Sequence, residues 1–410
     1  MARVEPNRTA IYSTALTAFF AIAGIAIVDP ILPVIGTELG ASTWQIELLF
    51  TAYIAVMAVG MIPAVVATGR VGYKKVLATG VSVVAVAALA AATTTTIGSL
   101  AALRGLWGLG NALFFATAMV LLVSLANDRE WAVELFETCV GLGFAVGPLL
   151  GGLLGQVSWR LPFVLCGAFM VVALVVSLLR VKDPAERPAP LRVSEVLSPF
   201  RRPAFVTLAI VTATYNFVFF VVLGYTPVFL GLEVVPLGLV FTAWGLGLAF
   251  GILVVGHRLA HRVGAVQTVG LAIAVLLLTL VGLATSTSQA WSIAVLVVAG
   301  VCMGICNANL TDLALATGSP DRRVTTGAFN LVRWGFAAPA PVVAGLLAEH
   351  AGLTSPYWVA VGVLGLGVVV FLVFGHVVAG AAGERVVWAR WNRGAARAEG
   401  TPEEALGELV

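Results

Sequence analysis

The stretch "GLGFAVGPLLGG", Gly141 to Gly152, sets five glycines and a proline into a run that is otherwise wholly apolar. In a water-exposed helix Gly costs about 1 kcal/mol and Pro about 3 kcal/mol relative to Ala, so the segment would be a poor helix in a soluble protein. Composition resolves the conflict. Of 410 residues, 60% are hydrophobic and 10% charged, whereas soluble domains carry roughly 25% charged residues; the mean hydropathy is +1.03. The solvent around this helix is lipid.

A membrane-spanning helix needs about 20 mainly apolar residues. Twelve such runs are expected, at 11–34, 46–67, 76–95, 99–123, 133–155, 160–180, 204–229, 237–256, 265–285, 290–316, 323–348 and 355–379. The first is too long for a signal-peptide core and carries "DPILP" near its far end, so it reads as an uncleaved span. Cys139, Cys166, Cys302 and Cys306 all fall within spans, without disulfide or metal-ligand spacing. No metal and no cofactor is expected.

With the N-terminus placed in the cytoplasm, 20 of the 23 Lys and Arg residues lie on that side, leaving Arg160 outside and Arg104 and Arg333 within spans. This obeys the positive-inside rule and puts both termini in the cytoplasm. The net charge of +3 therefore reports topology, and no nucleic-acid partner is expected.

The longest polar interruption, 181–203, holds five prolines and follows the sixth span. It divides the chain into a six-helix bundle at 1–180, a central cytoplasmic loop, a second six-helix bundle at 204–379 and a cytoplasmic tail at 380–410. "RVG" at Arg70 recurs at Arg262, and "GFAVGP" at Gly143 recurs as "GFAAPA" at Gly335, both displaced by 192 residues. Two matches at one offset argue for an internal parallel repeat, the device by which secondary transporters build two halves around a central site.

These residues resemble the major facilitator superfamily, and more narrowly its twelve-span drug:proton antiporters, over roughly residues 10 to 380. The antiporter signature "GxxxGPxxGG" is matched by Gly143, Gly147, Pro148, Gly151 and Gly152, and "RxxxGxG" by Arg104, Gly108 and Gly110. The usual "GxxxDRxGRR" between spans two and three reads "VVATGRVGYKK" here. Arg70, Gly72, Lys74 and Lys75 fit that cytoplasmic gating loop, but Gly69 stands where the family has Asp; Asp128 or Glu130 is the carboxylate left to pair with Arg70. The resemblance implies an all-α membrane fold of two pseudo-symmetric six-helix bundles. It further implies proton-coupled efflux of lipophilic or drug-like molecules by alternating access, performed by a monomer in the plasma membrane.

The opening stretch now has a reading. Small residues three or four apart let two helix backbones approach closely in lipid, and Pro148 removes one hydrogen bond and permits a bend. A tight, bendable contact suits a helix that must tilt against a neighbour.

Ionisable groups within spans are costly and functional by default. Asp29, near the outer end of the first span, and Arg104, near the outer start of the fourth, fall at similar depth; the resemblance implies that they face one another across a central cavity. The pair is expected either to fix helix packing as a buried ion pair or to couple transport, with Asp29 protonated when the site holds no cationic substrate and ionised when it does, and Arg104 tuning it. Glu134 and Glu137 lie about one helical turn apart and are expected either in a wet inner vestibule or at a second proton or cation site. Asp312 and Arg333 are expected to pair. Tyr215, Asn216, Tyr225, Asn307 and Asn309 would line the cavity, with Phe19, Phe20, Trp107, Phe114, Phe219, Phe220 and Trp244 as candidate apolar walls.

Other chemistries lack their signatures. "HRLAH" at His257 has no Glu for a zincin site, and no Walker A sequence is present. Two function classes stay open: a secondary exporter, of drug-like compounds or of a sugar, amino acid or other metabolite, and a transporter-like sensor or scaffold that moves nothing.

Overall fold

The computed structural model describes residues 8–125, 129–181 and 191–384, and among these there is no β-strand. Twelve long helical segments follow one another: α1 (Ile11–Leu39), α2 (Thr43–Val71), α3 (Tyr73–Ala91), α4 (Ile97–Leu125), α5 (Arg129–Gly155), α6 (Arg160–Arg180), α7 (Pro203–Leu230), α8 (Val234–Val263), α9 (Ala265–Ala284), α10 (Gln289–Thr317), α11 (Arg322–Ala351) and α12 (Ser355–Ala382). Among the described residues eleven are long and apolar enough to cross a membrane. The remaining one, α4, is 29 residues long and carries Arg104 and Asn111 inside it. This is an all-α, multi-pass membrane fold.

Several helices overrun the spans expected from hydropathy. The first ends at Leu39 rather than 34, and the eighth runs from Val234 to Val263 rather than 237–256. Backbone hydrogen bonding continues past the point where side chains turn polar, so hydropathy marks the lipid zone and not the helix end. The overrun moves Asp29 inward: it lies ten residues, about 15 Å, before the end of α1.

Four helices are irregular inside. A 3₁₀ turn at Asp29–Ile31 contains Pro30 in α1, and wide π turns occupy Val221–Tyr225 in α7 and Gly251–Gly256 in α8. Helix α11 is interrupted at Ala338–Pro339. Such departures mark sites where another helix or a cavity re-satisfies the freed backbone.

Packing follows the repeat. The first six helices pack on one another through α2–α4, α3–α4, α3–α6 and α1–α5, and the last six through α8–α10, α9–α10, α9–α12 and α7–α11. The two sets meet along two seams, α2 against α11 and α5 against α8. The second and fifth helices of one set thus face the fifth and second of the other, as a pseudo-twofold axis requires. Between the seams lies an open space.

Candidate functional site

That space is a cavity of about 1100 Å³. Its deep part is bounded by Asn216, Phe219 and Phe220 of α7, Asn307 of α10 and Asn330, Arg333 and Trp334 of α11; its mouth, by His257, His261, Asp312, Arg322 and Arg323 at the basic end of the bundle. Arg333 is eleven residues into α11, about 16 Å from its start.

Six aromatic rings form a continuous arc along the wall. Phe136 meets Phe115 at 6.5 Å between centroids, Phe115 meets Trp334 at 6.4 Å, Trp334 meets Phe220 at 5.8 Å, Phe220 meets Phe219 at 5.3 Å and Phe219 meets Phe144 at 6.1 Å. All six line the cavity. The arc crosses between the two sets of helices twice, at Phe115–Trp334 and at Phe219–Phe144, so its shape depends on how the sets are tilted. Offset and edge-on rings at these distances are the favourable geometries.

Arg333 does not pair with Asp312. Its Nη2 donates to Asn307 Oδ1 at 3.1 Å, its guanidinium lies 5.4 Å from the Trp334 ring, and its buried Nε has no partner. Asp312 and Asn307 are five residues apart on α10, which turns them roughly 140° from one another; only Asn307 reaches Arg333. Asp312 is exposed at the mouth, beside His257.

Asp29 and Arg104 are both fully buried and do not line the cavity in this conformation. They lie within electrostatic reach of one another, but no carboxyl oxygen of Asp29 and no guanidinium nitrogen of Arg104 has a hydrogen-bond partner. The Arg104 guanidinium sits instead over aromatic faces, 4.7 Å from the Tyr53 ring and 4.9 Å from Trp107. Asn111 Nδ2 donates to Tyr53 Oη at 2.6 Å and fixes that ring.

A second carboxylate belongs to this cluster and escaped the sequence reading. Glu47 of α2 is fully buried, its two carboxyl oxygens lack partners, and it lies within electrostatic reach of Asp29. Its side chain fills room left by two glycines on the other side of the α2–α11 seam. A Cβ on Gly224 would lie 2.8 Å from Glu47 Oε2, and one on Gly345 would lie 3.2 Å from Glu47 Cγ. At the edge of the span expected from 46 onward, a lone Glu reads as an interfacial residue; the longer α2 puts it inside.

The other expected cavity residues separate. Asn216 lines the cavity, with Nδ2 donating to Thr212 O at 2.9 Å. Tyr215 is buried and donates to Met303 O at 2.8 Å, while Tyr225 donates to Leu353 O at 2.7 Å near the far end; neither lines the cavity. The side chains of Glu134 and Glu137, and Asp128 with Glu130, lie outside the described residues. Arg70 and Lys75 are exposed, Lys74 Nζ donates to Leu178 O at 2.7 Å, and Gly72 is the single residue linking α2 to α3.

The glycines of α5 have two faces. A Cβ on Gly143, Gly147 or Gly151 would strike α1 at Ile22, the Ala23 carbonyl and the Ile27 carbonyl, whereas one on Gly152 would meet the Val234 carbonyl and Gly238 of α8. Helix α5 is therefore wedged between its own set and the other. Pro148, having no N–H, leaves the Phe144 carbonyl without its helical donor. Gly245 of α8 lies against that carbonyl, where a Cβ would be 2.5 Å from the oxygen.

Comparison with known proteins accords with this geometry. The family model of the Major Facilitator Superfamily matches residues 14–340. The chain is 34% identical to the multidrug efflux protein YfmO of Bacillus subtilis over 369 residues, 88% of this chain and 92% of that one. It is 23% identical to the quinolone resistance protein NorA of Staphylococcus aureus over 169 residues, 40% of this chain and 43% of that one. In fold it is similar to a bacterial homolog of the human lysosomal transporter Spinster in an inward-facing, occupied conformation, with a TM-score of 0.71, 16% identity and coverage of 93% and 98%. It is also similar to the human organic anion transporter MFSD10, with a TM-score of 0.70, 17% identity and coverage of 90% and 100%. Twelve helices meeting along two reciprocal seams around a cavity, and a family match over most of the chain, make this protein a transporter of the major facilitator superfamily.

Proposed function

We propose that this protein exports amphipathic, drug-like molecules across the plasma membrane in exchange for protons, by alternating access. The basic end of the bundle, by the positive-inside rule, is the cytoplasmic one, so the cavity admits solutes from the cytoplasm. Residues 1–180 and 204–379 act as the two rocking units, joined by 181–203, with 380–410 as a cytoplasmic tail.

One observation carries the reading: a cavity with an aromatic wall stands open at the basic end, while Asp29 and Glu47 are sealed away from it without partners. An isolated ionised carboxylate in apolar surroundings is very costly, and such a group neutralises instead. Sealed in this way, the two acids are kept from water at the basic end, and parting the helices around them on the outer side would let them exchange protons with the water there. Glu47 lies in the α2–α11 seam, where such parting is felt directly. Moving one charge inward down about 100 mV yields about 2.3 kcal/mol, enough for roughly a 50-fold substrate gradient. The similarity to YfmO supports the efflux direction.

The test is substrate-driven proton flux in proteoliposomes holding a pH-sensitive dye. A panel of amphipathic compounds should evoke flux with wild type and not with Asp29→Asn or Glu47→Gln. Binding without any proton movement, for every compound, would remove the antiport reading.

A further inference from the structure

Among the described residues, the deep cavity holds one cation and no carboxylate paired with it. At the mouth, cations and anions offset one another: Arg323 pairs with Asp321 at 2.7 Å, Asp312 lies beside His257, and Arg322 is exposed to water. Deeper, Arg333 stands without a carboxylate within 4.0 Å among the described residues. Its neighbours there are amides and rings: Asn307 holds one N–H, Trp334 backs the guanidinium plane, and Asn216 and Asn330 lie on the same wall. Among the described residues, the buried carboxylates Asp29 and Glu47 are shut away from this space.

A guanidinium at membrane depth that serves only packing is normally paired or aimed at carbonyl groups. Arg333 has one neutral partner and a buried Nε with none. Its remaining N–H groups form the planar fork that matches a carboxylate or sulfonate, and charge-assisted hydrogen bonds of this kind are about twice as strong as neutral ones. The aromatic arc passes beside it, since Trp334 is both the ring between Phe115 and Phe220 and the ring under the guanidinium. Flat apolar body and single negative charge are thus provided for at adjacent points.

We infer that Arg333, positioned by Asn307 and Trp334, receives the anionic group of the substrate, and that the molecules carried are amphipathic monoanions with an aromatic or comparably flat body. This rests on the cavity being the substrate site, and it names the charge of what enters. It differs from the expectation of a carboxylate-lined cavity for cationic compounds.

Three matched probes decide it: a naphthalene ring bearing a carboxylate, a carboxamide or an aminomethyl group. Binding to the purified full chain is measured at equilibrium, without a proton gradient, for wild type, Arg333→Gln and Arg333→Lys. Wild type should bind the carboxylate at least about tenfold more tightly than the amide. Arg333→Gln should erase that preference while amide binding stays within about twofold, which also shows that the variant is folded. Arg333→Lys should retain part of the preference, as a point charge without the fork does. Tighter binding of the amine than the carboxylate, carboxylate binding no tighter than amide binding, or a preference that survives Arg333→Gln would each overturn the inference. Proton flux driven by amines alone would sink it and leave proton-coupled export standing; carboxylate preference without proton flux would do the reverse.

Discussion

Gly72 and Gly264, 192 residues apart, hold the same backbone conformation: φ 93° and ψ 156° at the first, φ 91° and ψ 154° at the second. Each is the single residue between two helices, α2 and α3 in one case, α8 and α9 in the other. The "RVG" repeat is therefore a repeated corner, and its glycine is required because this region of φ and ψ is almost closed to residues with a Cβ.

Alanine at either corner should destabilise the protein by about 1–3 kcal/mol. Gly264→Ala should be the worse of the two. Its Cβ would lie 2.6 Å from Glu384 Oε2, and the Glu384 carboxylate accepts from the first backbone N–H groups of α9, Ala265 N at 2.9 Å and Val266 N at 3.0 Å. Melting curves in detergent should rank wild type above Gly72→Ala above Gly264→Ala; equal melting temperatures would mean that neither corner is strained.

The α5–α8 seam should be intolerant of any side chain at Gly245, where a Cβ would press on the Phe144 and Ala145 backbone. Gly245→Val is expected to abolish transport while leaving helix content by circular dichroism unchanged. Gly335→Ala is the control, because a Cβ there meets nothing within 4 Å. Normal transport by Gly245→Val would show that the seam can open by the width of a side chain without loss.

Tyr53→Phe removes the acceptor for Asn111 Nδ2, whose companion Oδ1 already lacks a partner. A buried amide left without partners costs about 1–3 kcal/mol, so a clear fall in melting temperature is expected. The double variant Tyr53→Phe/Asn111→Leu should recover part of the loss, because it removes both polar groups together. No recovery would mean that the unpaired Asn111 amide is not what the single variant costs.

Asp321 caps α11, accepting from Arg323 N at 2.9 Å and from its guanidinium at 3.2 and 2.7 Å. Partial burial pushes this carboxyl up, but the hydrogen bonds and charge of Arg323 outweigh burial and hold it below its ordinary value. A carboxyl lowered by folding stabilises fully above its unfolded value, about 3.9, and loses that contribution as pH falls through the folded value. Asp321→Ala should therefore cost about 1 kcal/mol at pH 7. The gap in melting temperature should hold from pH 7 to pH 5 and narrow below about pH 4. A gap that widens on acidification would contradict the assigned sign.

The number and order of the helices are legible in the sequence because lipid imposes a length and a polarity on each one. The corner glycines and the α5 signature are legible too, since small residues are tied to backbone approach. What hydropathy lacks is angle and true helix length. It could not separate Asn307 from Asp312 as the partner of Arg333, because both are polar residues on one helix and only the turn between them decides. It placed Asp29 five residues from a helix end that in fact lies ten residues, about 15 Å, beyond it. Glu47 was missed for the same reason at the start of α2. The aromatic arc draws on α4, α5, α7 and α11, and no stretch of sequence brings those rings side by side.

Asp29 opens the 3₁₀ turn of α1, and Val221, 192 residues later, opens the π turn of α7; Arg104 of α4 corresponds at the same offset to Leu296 of α10, a helix whose two ends also match those of α4. The molecule thus contains its own comparison: one chain path realised twice, once with buried ions and once with aliphatic side chains. Since the aliphatic version folds to the same plan, the ions are not what gives the charged version its shape. They sit on a helix plan that the second half of the chain reaches without them.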